Sequence, residues 1–341
     1  MTTQRGSIPP KSQRHPVLAF PAMTLKRRPL VWPQLSGFLA AALGLSITPL
    51  DPPALAHGEA GGAMKLEPGT FKLSPLLTIE GHGGFENNLP EQPRHYAIDG
   101  LVGVSMGWGL EHGGSLEFEA SVGPAFVWGE AEHFYGRVHL HHHEDEGEEE
   151  EEHAPSNDTP FRRTDMKGLF QVRYAPNERL AFLAQWKPYW VTQTQGEDVA
   201  GLKNELAFGV NWALGDGDVN FALGDGIETI ADGLFISIVN RSGWESTGVF
   251  LGNYTDPWLG LGFNIDLLNV IISAGPRYYV PGSYSGLASR VDWGGEIELA
   301  YPISPKVVLF AHWRPIYSTG SGEGWGVGWV NHAGTGITFR F

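Results

Sequence analysis

The sequence predicts an all-β fold, an antiparallel transmembrane β-barrel of about 12 strands, with about 14 as the alternative count. Three observations carry this prediction. The closing stretch, residues 325–341, alternates apolar residues with small or polar ones, which is the period of a strand with two unlike faces. Short turns and longer links alternate between the candidate strands. Finally, an export signal is followed by no apolar run of helix-spanning length, and a closed barrel is one of the few other ways to cross a membrane.

The closing strand ends on an aromatic residue, Phe341. Its odd positions are mostly apolar or compatible with lipid, and its even positions include His332 and Arg340. The other interpretation of this strand alone is the last strand of a soluble sandwich. The tail resembles the C-terminal strand that the outer-membrane assembly machinery reads in bacterial outer-membrane β-barrels, and the resemblance is to that class as a whole. It implies that outer-membrane lipid and the assembly machinery are partners, and that the bacterial cell outer membrane is the location.

The composition agrees with a many-stranded barrel and excludes several other classes. There are 46 Gly residues, and aromatic residues make up 12% of the chain, which suits tight turns and a closely packed wall. The absence of Cys excludes a disulfide framework and thiolate metal sites. With 23 basic and 38 acidic residues the net charge is -15, so nucleic acid is not expected as a partner.

The N-terminal region predicts a cleaved signal peptide. Basic residues 26–28 precede the apolar stretch 35–47, and Ala54-Leu55-Ala56 forms a cleavage site of the A-x-A type. A buried helix or an anchor is the alternative, and Met23 is an alternative start to Met1. The predicted organisation is an N-terminal extension and signal peptide over residues 1–56, a periplasmic tail over 57–69, and the barrel over 70–341.

Eleven segments alternate clearly enough to be predicted as strands, namely residues 70–81, 97–108, 115–128, 166–174, 179–192, 204–213, 259–265, 270–280, 290–301, 306–317 and the closing stretch. The pattern is blurred over residues 219–261, where 227–241 fits either a strand or an amphipathic helix lying in the lumen. The segment 259–265 overlaps this stretch and is counted with it, so two strands from the stretch give the smaller total and four give the larger one.

The links between these segments predict the orientation of the barrel. Short turns are expected near residues 111–112, 175–176, 215–218, 266–269 and 303–305, and the links 81–95, 129–164, 193–203, 281–289 and 318–324 are longer. Bacterial barrels place short turns in the periplasm and long loops outside the cell. The longest link contains the loop 130–164, which is therefore expected to be external.

This external loop is rich in potential metal ligands, namely His133, His139, His141, His142, His143, Glu144, Asp145, Glu146 and His153. Imidazole suits Zn, Cu and Ni, and carboxylates can complete the coordination shell. The spacing matches no closed structural site, so we expect weak and exchangeable binding with no cofactor required. The alternative is a low-complexity solvated loop whose charge keeps the surface soluble.

A second set of polar residues falls on the predicted inward faces of the strands. The residues expected to line the lumen are Glu117, Glu119, Lys167, Arg173, Arg179, Lys187, Lys306, His312, Arg314, His332 and Arg340. His312 and His332 are interpreted either as pore-lining groups or as hydrogen-bonded polar residues without a further role.

These features predict an outer-membrane pore or transporter for small solutes, with divalent transition-metal ions captured by the His/Glu-rich loop. The alternative is a filled barrel that acts as a metal-binding or structural surface protein, and the second alternative is an outer-membrane enzyme. No G-x-S-x-G motif is present, and the carboxylate pairs Glu117 with Glu119 and Glu296 with Glu298 lie among predicted lumenal cations. We therefore expect that the protein is not an enzyme.

Overall fold

The computed structural model describes residues 66–88, 94–129, 161–193, 200–215, 224–225, 230–283, 288–321 and 326–341. This part of the chain contains twelve long strands and one strand of two residues. They are β1 (Phe71–Glu86), β2 (Arg94–Gly109), β3 (Ser115–Gly129), β4 (Phe161–Asn177), β5 (Leu180–Val191), β6 (Gly201–Ala213), β7 (Gly224–Asp225), β8 (Leu234–Glu245), β9 (Phe250–Ile265), β10 (Leu268–Pro281), β11 (Arg290–Ser304), β12 (Val307–Ser318) and β13 (Gly328–Arg340).

The long strands form one closed antiparallel barrel. Each long strand pairs with the next long strand along the chain, and β6 pairs directly with β8. The ring closes between β1 and β13, from Leu76 opposite Arg340 to Glu86 opposite Val330. Closure removes the free sheet edges that would leave backbone groups without partners in lipid. The short β7 runs parallel to β9.

The two ends of the barrel differ in their connections. At one end, called here the short-turn end, tight turns join β2 to β3, β4 to β5, β9 to β10 and β11 to β12. Two of these turns use a non-glycine residue in the left-handed region, His112 (φ 57) and Asp266 (φ 52), which are residue types that tolerate it. The opposite end, the long-loop end, carries the connection over residues 130–160.

The wall of the barrel has the reverse polarity of a soluble protein. Outward side chains such as Val102 and Phe208 are 62% and 61% exposed, whereas inward Asp165 and Arg241 are 0% and 1% exposed. In water this arrangement would leave a continuous apolar surface uncovered. Its physical explanation is a lipid environment around the outside of the wall.

Exposed aromatic side chains cluster towards both ends of this apolar surface. Those towards the short-turn end are Phe71, Trp108, Tyr174, Phe182, Trp212, Tyr301 and Phe341, and those towards the long-loop end are Phe85, Tyr96, Phe161, Trp190, Trp293 and Trp329. Between them the outward residues are mostly aliphatic, such as Val102, Val122 and Ile238, and the exposed aromatic residues Trp186, Phe208 and Trp313 also lie there. Two aromatic girdles around an aliphatic band are typical of membrane-spanning barrels, because aromatic rings prefer the lipid–water interface.

The structure confirms the predicted fold class with the smaller strand count. The blurred stretch contributes β8 and most of β9, after a single 3-10 turn at Ile230–Gly233. The amphipathic-helix interpretation of residues 227–241 is wrong for the part from Leu234 onward, because this part alternates inward and outward as β8. The predicted turn at 175–176 is misplaced, since an irregularity between Tyr174 and Asn177 lets β4 continue to Asn177.

The export signal and the cleavage site after Ala56 lie outside the described residues and stay predictions. So does the predicted periplasmic tail up to residue 65. No helix in the described ranges has both the length and the apolar character needed to cross a membrane.

Candidate lumenal site

Inward carboxylates and cations form a belt of ion pairs around the interior of the wall. The pairs are His82–Asp99 (3.2 Å), Arg163–Asp165 (2.7 Å), Lys187–Glu205 (3.7 Å), Arg277–Asp256 (2.7 Å), Arg241–Asp256 (3.4 Å), Arg290–Asp292 (2.9 Å) and Arg314–Glu296 (2.7 Å). Each member stands on an inward position because side chains alternate along a strand. The belt makes the interior charged and polar while the exterior is apolar.

One densely bonded group of charged residues lies on β8, β9 and β10. Asp256 accepts hydrogen bonds from Arg277 Nε (2.8 Å) and Arg277 Nη2 (2.7 Å), and from Arg241 Nη1 at 3.4 Å. The ring of Tyr254 lies against both guanidinium groups, with centroid distances of 4.2 Å to Arg277 Cζ and 5.4 Å to Arg241 Cζ. Hydrogen bonding and cation–π contact together offset the cost of removing these charges from water.

Another buried carboxylate, Asp165, holds the wall together near the long-loop end. Asp165 accepts hydrogen bonds from Arg163 Nε (2.7 Å), the Tyr189 hydroxyl (2.7 Å) and the backbone N–H of Thr192 (2.9 Å). These contacts tie the start of β4 to the residue that follows β5. The Thr192 hydroxyl donates to the same carboxylate at 3.1 Å. A buried carboxylate bonded to several donors fixes the position of the strand end.

A cluster of histidines spans the seam of the barrel, where β12, β13, β1 and β2 are neighbours. His312 Nε2 lies 3.3 Å from His332 Nδ1, and His332 Nε2 lies 3.1 Å from His82 Nδ1. His82 Nε2 lies 3.2 Å from Asp99 Oδ2, which also accepts a hydrogen bond from Lys167. The ring of His95 stacks on that of His332 with 6.0 Å between centroids.

One set of tautomers satisfies this chain of contacts. Asp99 accepts the proton of His82 Nε2, which leaves His82 Nδ1 to accept from His332 Nε2. His332 Nδ1 then accepts from His312 Nε2. At the far end, His312 Nδ1 lies 3.6 Å from Glu80 Oε1. The arrangement is therefore a row of three imidazoles with a carboxylate at each end.

Most residues predicted to line the lumen occupy inward positions in the structure. These are Glu117, Glu119, Lys167, Arg173, Lys187, His312, Arg314, His332 and Arg340. Register supports this, because Glu117 lies opposite the buried Arg173, and Arg314 lies opposite His332. The structure thus brings His312 and His332 into one cluster.

Two residues of that set must be corrected. Arg179 lies in the turn between β4 and β5, exposed, and donates from Nη2 to the carbonyl oxygens of Leu214 (3.3 Å) and Gly215 (2.7 Å). Lys306 lies in the turn between β11 and β12 and is also exposed. Both stand one residue before the strand that was predicted to include them, so the alternation was extended one position too far.

The metal-ligand residues predicted in the external loop, His133, His139, His141, His142, His143, Glu144, Asp145, Glu146 and His153, lie outside the described residues. Within the described ranges, no three His, Asp or Glu side chains are already arranged around a common point as metal ligands.

Several members of the belt were not singled out from the sequence, among them His82, Asp99, Asp165, Asp256 and Arg277. Each lies on an inward position of its strand, so the period of two places it in the lumen. The period does not predict which inward residues contact each other, because His82 and His332 meet only through closure of the ring.

The family comparison adds to this geometry. Residues 226–341 match the model of a cyanophage outer membrane protein like β-barrel domain. Together with the closed ring, the apolar exterior and the aromatic girdles, this decides the class. The chain is an outer-membrane β-barrel protein. Its location is the outer membrane, as the closing strand predicted.

The chain is also similar to solved structures of a channel, an autotransporter domain and a porin. An outer-membrane channel from Pseudomonas putida F1 is 11% identical, with a TM-score of 0.46, and the match covers 81% of this chain and 97% of that one. The translocator domain of the autotransporter NalP from Neisseria meningitidis is 11% identical (TM-score 0.41; 79% and 88% covered). The NanC porin is 10% identical (TM-score 0.39; 78% and 100% covered). No curated protein matches this outer-membrane protein.

Proposed function

We propose that this outer-membrane protein is a pore for small solutes, and that divalent transition-metal ions are among its cargo. The observation that carries the proposal is the charged and polar inner wall, from Glu117 and Arg173 through the ion-pair belt to the histidine cluster. Polar groups along the inner wall of a barrel offer a hydrated ion successive weak contacts.

The external loop supplies the metal part of the proposal. Its histidines and carboxylates, residues 133–153, are suited to transition metals, and its negative charge raises the local concentration of cations. In this mechanism the loop captures Zn, Cu or Ni ions reversibly, and the belt passes them along the inner wall. We propose no catalytic step and no resident cofactor, so the protein is not an enzyme on this account.

A filled barrel is the second candidate, and one observation favours it. Asp99, Asp165 and Arg241 are at most 1% exposed, so the side chains of the belt are packed against one another. On this account the protein would display its loop as a metal-binding or structural surface and conduct nothing.

Single-channel conductance separates these candidates. The mature chain, refolded into a planar bilayer, is recorded with and without Zn²⁺ beside a matched variant that lacks residues 139–153. The pore predicts stable conductance in both chains, with a larger response to Zn²⁺ in the full-length one. A folded barrel that never conducts would refute the pore and support the filled barrel. Conductance with an identical Zn²⁺ response in both chains would refute capture by the loop.

A further inference from the structure

The barrel contains an internal repeat. Residues 163–214 align without a gap to residues 290–341, at the offset that carries Arg163 to Arg290. Identical pairs include Asp165/Asp292, Gly168/Gly295, Tyr174/Tyr301, Ala184/Ala311, Trp186/Trp313, Pro188/Pro315, Thr192/Thr319, Asn204/Asn331 and Gly209/Gly336. At this offset β5 (Leu180–Val191) coincides with β12 (Val307–Ser318), and β6 (Gly201–Ala213) with β13 (Gly328–Arg340).

The repeated residues make repeated contacts. The backbone N–H of Thr192 donates to Asp165 Oδ1 at 2.9 Å, and that of Thr319 donates to Asp292 Oδ1 at 2.9 Å. On the outer face, the indole N–H of Trp186 donates to Asn204 (3.0 Å), and that of Trp313 donates to Asn331 (3.3 Å). The two repeats therefore share side-chain contacts as well as sequence.

The equivalence continues into the next strands. β1 ends Gly84-Phe85-Glu86, and β8 ends Gly243-Trp244-Glu245. His82 lies opposite Gly334, just as Arg241 lies opposite Ala207, the counterpart of Gly334. Both side chains reach an Asp on the following strand, His82 to Asp99 and Arg241 to Asp256.

Equivalent strands stand on opposite sides of the ring. β5 and β12 are separated by six strand positions in a ring of twelve long strands, and so are β1 and β8. The barrel therefore has two similar halves, called its two walls below, related by a half-turn about its axis. Differences between equivalent positions show which side chains one wall has and the other wall lacks.

The largest chemical difference is the histidine cluster. Where one wall has Gln185, Glu205 and Arg241, the other has His312, His332 and His82, beside the Asp that both walls keep. The backbone differs in step with this. A Cβ on Gly334 would lie 2.5 Å from His312 Cε1, so the glycine makes room for the imidazole, whereas the other wall has Ala207.

Two imidazoles of the cluster direct a ring nitrogen at the third, which stands between them. Asp99 bonds to His82 Nε2, and Glu80 lies 3.6 Å from His312 Nδ1. When the proton of His312 is on Nδ1, facing Glu80, the lone pairs of His82 Nδ1 and His312 Nε2 both face His332. A carboxylate behind an imidazole is the usual arrangement that orients a metal-binding histidine. The separations of 3.1 and 3.3 Å run to the two different nitrogens of His332, so its ring stands between the other two imidazoles and must turn before all three can share an ion with bonds of about 2.0–2.1 Å.

We propose that His82, His312 and His332 bind a divalent transition-metal ion inside the barrel, on one wall only. His82 Nδ1 and His312 Nε2 are two of the ligands, and His332 supplies the third after its ring turns to face the ion rather than its neighbours. This binding site lies on the inner face of the barrel and is distinct from the external loop. It rests on the proposed pore only for the route by which the ion arrives.

The test uses the full mature chain with His133, His139, His141, His142, His143 and His153 replaced by Asn, so that the loop does not contribute imidazoles. Binding is followed by Co²⁺ absorption titration, and Cu²⁺ electron paramagnetic resonance reports nitrogen ligands. We expect one bound ion per chain. His332→Glu, which installs the residue of the opposite wall, should weaken binding at least about tenfold, and Asp99→Asn should weaken it about 10–100-fold.

The matched control is Glu205→Gln, at the equivalent position of the other wall, and it should leave binding unchanged. If His332→Glu does not refold, as judged by circular dichroism, His312→Gln replaces it and carries the same expectation. Absence of binding in the loop-substituted chain, or equal affinity in the histidine variant, overturns the site. Conductance of the same samples is independent: a conducting chain without the bound ion removes the site but not the pore, and the reverse result removes the pore but not the site.

Discussion

At the scale of single residues, the inner wall is held by carboxylates that each accept hydrogen bonds from several donors. Asp256 has two guanidinium partners, and Asp165 has Arg163, the hydroxyl of Tyr189 and a backbone N–H. A buried charge without partners is far costlier than a buried pair, so each of these contacts stabilises mainly by preventing that cost.

Replacing Asp165 by Ala tests this directly. The change leaves Arg163, whose side chain is 2% exposed, as a buried cation and removes the acceptor of the Thr192 N–H. We expect the free energy of unfolding to fall by about 3–5 kcal/mol. Urea unfolding in lipid vesicles measures it, with Glu178→Ala in the exposed turn as the control. A loss below about 1 kcal/mol would mean that the pair contributes no more than a surface salt bridge.

Gly334 provides a second test at this scale, on the proposed metal site. An added methyl group would meet His312 Cε1 at 2.5 Å and Nε2 at 2.9 Å, so the imidazole must move away from His332. Gly334→Ala should therefore weaken Co²⁺ binding several-fold without preventing refolding, while Ala207→Gly on the opposite wall should not affect binding. Unchanged affinity in Gly334→Ala would show that the position of His312 does not matter to the ion.

At the scale of the strand, the alternation of faces determines what each element can tolerate. β2 exposes Val102 to lipid and buries Asp99 and Ser105 on the opposite face. The outer face is sensitive to charge according to depth, because lipid at mid-wall solvates an ion poorly and the interface solvates it well.

A pair of arginine substitutions tests this depth dependence. Val102→Arg, in the middle of β2, should lower the free energy of unfolding by about 2–4 kcal/mol. Phe161→Arg, at the first residue of β4 near the long-loop end, should cost about 1 kcal/mol or less for its charge. Equilibrium unfolding of both variants in the same vesicles gives the comparison. Equal costs at the two positions would contradict the assignment of the aliphatic band to the membrane interior.

At the scale of the whole molecule, the ring has a seam and an internal connection in equivalent places. The seam joins β13 to β1, where the Phe341 N–H donates to the Pro75 carbonyl at 3.0 Å. The half-turn relation carries this seam onto the junction of β6 with β8, where residues 214–233 connect the two strands at the short-turn end.

This relation predicts that the chain termini can be moved from the β13–β1 seam to the connection between β6 and β8. A circular permutant that begins at residue 230, ends at residue 215 and joins Phe341 to residue 66 through a short Gly-Ser linker should refold with the same circular dichroism spectrum. The reason is that the new termini lie between strands, so the pairings among the twelve long strands are kept and the short β7–β9 pairing is removed. A permutant opened within β4 is the control and should not refold. Failure of the first permutant alone would show that the β13–β1 seam cannot be bridged at the short-turn end.

Much of the candidate site was within reach of local sequence patterns, and some was not. Parity placed His312, His332 and Arg314 on the inner face, because the period of a strand is insensitive to what surrounds it. The same alternation led us to begin two strands one residue too early, at Arg179 and Lys306, which lie in turns. Comparing the chain with itself would have identified the repeat of Arg163 and Asp165 at Arg290 and Asp292, and with it the unusual histidines.

The sequence by itself determined that this protein is an outer-membrane barrel with an apolar outside and a charged inside, since alternation, turns and the closing strand are all local signals. The tertiary structure decided the strand count, by showing β8 and β9 in the blurred stretch, and it decided which inward groups meet. His82 and His332 are 250 residues apart and become neighbours only when β1 pairs with β13. Such a contact depends on the register at which the ring closes, and that register is a property of all strands together.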